Sequence, residues 1–220
     1  MKQKSEMLTQ SEMDAHIANG TFRLALVGMS NAGKSRRSGH LRDEEDFMWY
    51  EVDQEIANKL GLTDVADVAQ WMGEPTDPQY EENEKQYAQL EEKCTHLDHL
   101  DTGGKNLVFD TTGSVIYLSN EAKHWLHKEC LVVHIDIGED SIPTMLERYL
   151  VEPKPVSWDG WLVPQDGETE QETLARCYPL LLQDRLRQYR EFAHITIPVD
   201  KLFDATGSET LDVIKSYLPE

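Results

Sequence analysis

Residues 22–35 constrain this chain more than any other stretch. They read Phe22-Arg23-Leu24-Ala25-Leu26-Val27-Gly28-Met29-Ser30-Asn31-Ala32-Gly33-Lys34-Ser35, an apolar run leading into G-x-x-x-x-G-K-S. The run has the character of a buried strand, and the residues after it carry the pattern of a phosphate-cradling P-loop opening a helix. Gly28 and Gly33 allow backbone conformations and close approaches that a Cβ would obstruct. Successive amides of Gly28, Met29, Ser30, Asn31, Ala32 and Gly33 can then point inward at phosphate oxygens. Lys34 adds a cation for the β- and γ-phosphates, and Ser35 offers a hydroxyl to Mg²⁺. The helix beginning there turns its positive dipole end toward the anion. An ordinary glycine-containing βα turn would leave Lys34 and both glycines unexplained. Arg36 and Arg37 come next in the first turns, either beside the nucleotide or facing solvent.

A chain of 220 residues, 39% of them hydrophobic, is long enough for one full core. We expect a single domain over residues 21–220, preceded at 1–20 by a short helical extension or frayed appendage ending at Asn19-Gly20. The 21 basic and 41 acidic residues give a net charge of −20, which repels nucleic acid and anionic membrane surfaces alike. Cys94, Cys130 and Cys177 are too few and too scattered for a disulfide framework. No apolar run approaches a membrane-spanning length, and Met1-Lys2-Gln3-Lys4 lacks the apolar core of a signal peptide. A soluble cytoplasmic protein, monomeric or a small homo-oligomer, is expected.

Along the chain, strands alternate with helices. Phe47 to Asp53 is a second strand candidate, and an extended backbone would put the carboxylates of Glu51 and Asp53 on one face at its tip. One could serve Mg²⁺ and the other a hydroxyl; alternatively Asp53 caps the next helix. Ile56 to Leu60, Val65 to Trp71 and Tyr80 to about His99 read as helices, the last heavily acidic and mostly a solvated face. Asn106 to Asp110 is a third strand whose terminal aspartate either binds Mg²⁺ or caps the next turn, and it should lie beside the P-loop strand. Leu131 to Ile137 and His194 to Pro198 complete five strands. Helices over about 120–127, 141–149, 170–192 and 209–217 fill the gaps. Crossovers of this length make the connections parallel, so the fold class is a three-layer α/β sandwich around a five-stranded parallel sheet. The His and Cys residues near 94–99 and 124–130 match no zinc spacing and read as surface histidines and buried cysteine.

The order of motifs from Phe22 to Leu218 resembles shikimate kinase, in the nucleoside-monophosphate-kinase-like group of P-loop kinases. Phe47 to Ile56 is similar to the family's strand ending in D-x-D. The resemblance puts Glu51 at the magnesium-associated aspartate, with Ser35 and Asp110, and Asp53 at the residue contacting substrate hydroxyls. Asp110-Thr111-Thr112-Gly113-Ser114 falls at the glycine-rich substrate loop, with Thr112 and Ser114 replacing glycines. Ile142 to Arg148 is similar to the helix whose arginine, here Arg148, lies against adenine. Lys154-Pro155-Val156 resembles the lid's R-P-L, with Lys154 as the catalytic lid cation. Arg185-Leu186-Arg187-Gln188-Tyr189 is similar to the family's R-x-x-x-Y, making Arg185 a substrate-binding arginine. At the second such arginine this chain has Glu81; either Arg185 still clamps a single anionic group, or Glu81 instead favours a neutral polyol, a sugar or an amine-bearing acceptor.

The resemblance therefore implies an ATP- and Mg²⁺-dependent phosphotransferase acting on a hydroxyl of a small metabolite. Residues about 54–105 would form the substrate-binding region and about 149–172 the lid, with Asp53 orienting or deprotonating the acceptor. Within the lid, Trp158 and Trp161 either close over the acceptor or anchor the lid's base. The alternative from another class is a nucleotide-binding regulatory or interaction protein of the same fold without phosphoryl transfer. No N-K-x-D sequence supports a GTPase.

Overall fold

A computed structural model describes residues 7–97, 100–151 and 156–220. The apolar runs become β1 (Arg23–Val27), β2 (Met48–Glu51), β3 (Leu107–Asp110), β4 (Leu131–Asp136) and β5 (Ile195–Pro198). They form one all-parallel sheet in the order β2-β3-β1-β4-β5. The helices are α1 (Gln10–Ala18), α2 (Lys34–Glu45), α3 (Val52–Leu60), α4 (Val65–Met72), α5 (Tyr80–Thr95), α6 (Asn120–Glu129), α7 (Ile142–Val151), α8 (Glu170–Phe192) and α9 (Gly207–Ser216).

Alternation along the strands feeds two cores, one on each face of the sheet. Ala25, Val27, Phe109 and Val132 pack with Ile56 of α3, Tyr87 of α5, Leu126 of α6 and Leu186 of α8. Leu24, Leu26, Val108 and Val133 pack on the opposite side with Met13 of α1, Leu41 of α2 and Ile214 of α9. Three layers result, as the alternation of elements predicts. The N-terminal helix is docked: Met13 is buried, Gln10 N–H donates to the Pro219 carbonyl at 2.9 Å, and Lys215 pairs with Asp14 at 2.6 Å.

Two placements matter for function. Because β1 lies between β3 and β4, the strand order reverses at its carboxyl end, and the loop from Gly28 leaves the sheet at that switch point. The register also sets Glu51 opposite Asp110, and Asp110 opposite Leu26, so two acids stand at adjacent strand tips near the loop.

The second strand is shorter than expected, and this corrects one expectation. It stops at Glu51, and Val52, Ile56 and Ala57 are fully buried on one face of α3. The helical spacing of these apolar residues overrides continued extension. Asp53 thus occupies the first helical turn, so it neither shares a strand face with Glu51 nor caps the helix; Glu51 is the cap residue.

Candidate functional site

The loop after β1 has the backbone its glycines predict, for two different reasons. Gly28 has φ of +146°, and a Cβ there would lie 2.9 Å from the Ile135 carbonyl oxygen of the adjacent strand. Gly33 has φ of +90° and open space around it, so its requirement is conformational alone. Asn31 also sits at positive φ, which Asn tolerates better than most residues. Gly33 caps α2 without a side-chain bond, leaving the first amides of that helix to a ligand. The side chains of Met29 and Ala32 are buried in the cores, so these residues can contribute only backbone. Lys34 Nζ, 8% exposed, donates to the carbonyls of Gly28 (3.0 Å) and Met29 (3.2 Å). Beside the loop lies a cavity of about 880 Å³, lined by Ser30, Asn31, Met145, Arg148, Tyr178 and Phe203 among others.

Carboxylates gather around Lys34. Asp110, 3% exposed, leaves Oδ2 buried without a hydrogen bond, and burial pushes its carboxyl up to about 6 against the pull of Lys34. Burial, Asp110 and Asp53 together raise Glu51. Asp53 is also raised by burial, while Lys34 and the Tyr87 hydroxyl, donating to Oδ1 at 3.1 Å, hold it down. The same burial lowers the ammonium of Lys34, with Asp110 and Asp53 opposing. Among the described residues no group of three His, Cys, Asp or Glu could hold a metal by itself. One unpaired carboxylate next to the Ser35 hydroxyl instead suits Mg²⁺ shared with phosphates.

Distant segments meet at Gly113, where a Cβ would lie 3.4 Å from Ser30 Oγ and 3.5 Å from Arg185 Nη1. Arg185, 5% exposed, donates Nη2 to the Ser157 carbonyl at 2.6 Å, stacks 5.4 Å from the Tyr117 ring, and leaves Nε without a partner. Thr112 does not present its hydroxyl to the open site; it donates to Glu91 Oε1. Ser114 Oγ lies 2.9 Å from each Glu91 oxygen.

Glu91, 2% exposed, is not distinguished by its sequence neighbours, in a helix that reads as solvated. The signal is its spacing: Tyr87, Glu91 and Cys94 fall on one buried stripe of α5. Glu81 is exposed at the start of that helix, and the buried acid beside the loop after β3 is Glu91. Glu84 accepts from Trp158 N–H (2.7 Å) and Ser157 Oγ (3.1 Å). Trp158 is buried against Tyr149 and Tyr178.

No family model and no curated protein matches this chain. Solved structures do. Shikimate kinase from Acinetobacter baumannii in complex with shikimate superposes with a TM-score of 0.59 at 22% identity, covering 93% of this chain and 97% of that one. Shikimate kinase from Bacteroides thetaiotaomicron gives 0.55 at 15% identity, covering 89% and 97%. The chain has the shikimate kinase fold.

Within that fold, the basic residues expected at the nucleotide or lid fare differently. Arg148 is exposed and lines the cavity beside the loop. Arg36 is also exposed, 3.6 Å from Asp204 and 5.8 Å from the Phe203 ring, which lines the same cavity. Lys154 lies outside the described residues. Arg37 is buried, donating to the carbonyls of Ala205 (2.6 Å) and Phe203 (2.7 Å), so it clamps the segment before α9 and does not face solvent. All three cysteines are buried and unpaired. No helix among the described residues is long and apolar enough to cross a membrane.

Proposed function

We propose that this protein is an ATP-dependent small-molecule kinase that phosphorylates a hydroxyl of a small metabolite. One observation carries the reading: Asp53, Asp110 and Arg185 all lie within electrostatic reach of Lys34 at the switch point of a kinase fold. In phosphoryl transfer the protein mainly positions its partners and neutralises charge on the transferring group. The loop amides and Lys34 would bind the β- and γ-phosphates, releasing Lys34 from its own loop carbonyls. The 880 Å³ cavity would take the nucleoside, with Arg148 and Phe203 at its walls.

Ser35, Asp110 and Glu51 would hold Mg²⁺, which supplies charge neutralisation when bound. Asp53, with Tyr87 fixing Oδ1, would orient the acceptor hydroxyl and receive its proton. The raised pKa of Asp53 suits a proton acceptor better than an ordinary surface aspartate does. Thr112 backbone, Gly113 and Arg185 would bound the acceptor.

The deciding experiment pairs calorimetry of MgATP binding with acceptor-dependent ADP release over a pooled set of hydroxylated metabolites. Binding with release establishes the kinase. Binding without any release assigns the chain to nucleotide-dependent regulation, and no binding of any purine triphosphate with divalent cation removes the site altogether.

A further inference from the structure

The charge inventory of the buried site is uneven. Two cations, Lys34 and Arg185, stand against three acids, Asp53, Asp110 and Glu91. On the kinase reading Lys34 belongs to the phosphates, which leaves Arg185 alone on the acceptor side with Asp53 and Glu91. Glu91 is placed to answer that arginine. Its carboxyl is bonded to Thr112 and Ser114, the residues flanking Gly113, and Arg185 Nη1 lies beside Gly113. Burial pushes the Glu91 carboxyl up to about 7, with Asp53 adding to this and the two hydroxyls and Arg185 opposing.

An incoming carboxylate would meet two buried acids, Asp53 and Glu91, on the same side as this single arginine. Placing like charges together in a buried site costs several kcal/mol. A hydroxyl oxygen has no such penalty, and the unpartnered Arg185 Nε can donate to it.

We propose that the acceptor is a polyhydroxylated molecule that carries no carboxylate, and that Glu91, a buried acid on the same side as Arg185, is the residue that excludes the carboxylate. This rests on the kinase reading.

The test compares kcat/KM for acceptor-dependent ADP release across matched probes at pH 7.5. D-glucose, D-glucitol and myo-inositol are set against gluconate and shikimate, with MgATP binding measured separately by calorimetry. The uncharged probes should exceed the carboxylates by about tenfold or more. Glu91→Gln, which keeps shape and one accepting oxygen, should move the ratio about tenfold toward the carboxylates, whereas Glu91→Asp, keeping the charge, should retain the native preference.

Equal or better use of gluconate or shikimate by the native chain would overturn the inference and leave the kinase reading standing. An unmoved ratio in a folded Glu91→Gln would remove Glu91 as the selector. If neither variant folds, the native ratio still decides the acceptor's charge. MgATP binding with no release from any probe would overturn the kinase reading, and this inference with it.

Discussion

The side of the site proposed for the nucleotide comes from one unbroken turn of chain, Gly28 to Ser35, whereas the side proposed for the acceptor is assembled from α3, α5, the loop after β3 and α8. The first is made of backbone, with the side chains of Met29 and Ala32 turned into the cores. The second is made of side chains, Asp53, Glu91 and Arg185, each delivered by a different element. A backbone cradle fixes what it binds through glycine positions and one lysine. A side-chain pocket can change the charge it prefers through one residue on one helix, without disturbing the cradle. The two halves should therefore fail separately.

The largest expected effect tests the cradle. Lys34→Ala removes the cation whose Nζ lies over the loop, and ATP-dependent turnover should fall by about 10³-fold or more with the circular dichroism spectrum unchanged. A retained rate would mean the loop is not the phosphate site, and the comparison would lose its first half. Next comes Asp53→Asn on the acceptor side. It should lower acceptor-dependent turnover by about 10²- to 10⁴-fold while MgATP affinity stays within a few-fold. Equal losses in transfer and in MgATP affinity would show that Asp53 serves the nucleotide and would erase the boundary between the two halves.

The same difference decides how much of the molecule is legible in the sequence. The five strands and their helices are written locally, in apolar runs closed by Gly, Asn or acid, and so is the loop, whose residues are consecutive. The boundary at Glu51 is misread because Val52 continues an apolar run that only the helical partners Ile56 and Ala57 reassign. Glu91 is hidden for a stronger reason: it is one acid among several in α5, and beyond its spacing from Tyr87 and Cys94 only packing against the loop after β3 distinguishes it. His134 is a similar case. It lies fully buried in β4, stacked 5.1 Å from Tyr189, and burial pulls its imidazole down to about 4, a neutral core residue that the strand pattern alone does not explain.

A third substitution sharpens the account of the cradle. Gly28→Ala introduces a Cβ 2.9 Å from the Ile135 carbonyl oxygen at φ of +146°, so both space and backbone resist it. It should destabilise the fold by about 2 to 3 kcal/mol in urea titrations. Gly33→Ala meets open space and carries only the conformational penalty, about 1 kcal/mol. Equal costs would mean that the Ile135 approach is relieved by a small shift, and that Gly28 is required for conformation alone.

The smallest effect is read in stability and belongs to the acceptor side. Glu91 has an ordinary carboxyl value of 4.5 and is raised to about 7 in the folded chain. A raised acid contributes its stability below the unfolded value. Between about pH 4.5 and 7 the unfolded chain has already released the proton that the folded chain retains, so stability is lost as pH rises through this window and stays lost above it. Glu91→Gln has no proton to release and escapes that loss. Relative to the native chain, the variant should therefore gain about 2 kcal/mol between pH 5 and pH 8. Asp110, also raised, and His134, lowered, titrate in both proteins, so the difference between urea midpoints at the two pH values isolates Glu91. A difference that does not grow with pH would mean that Glu91 is already ionised at pH 5, its charge held by Arg185 and the two hydroxyls. The acceptor side would then be a fully paired ionic site, resembling the cradle in how firmly its charge is fixed.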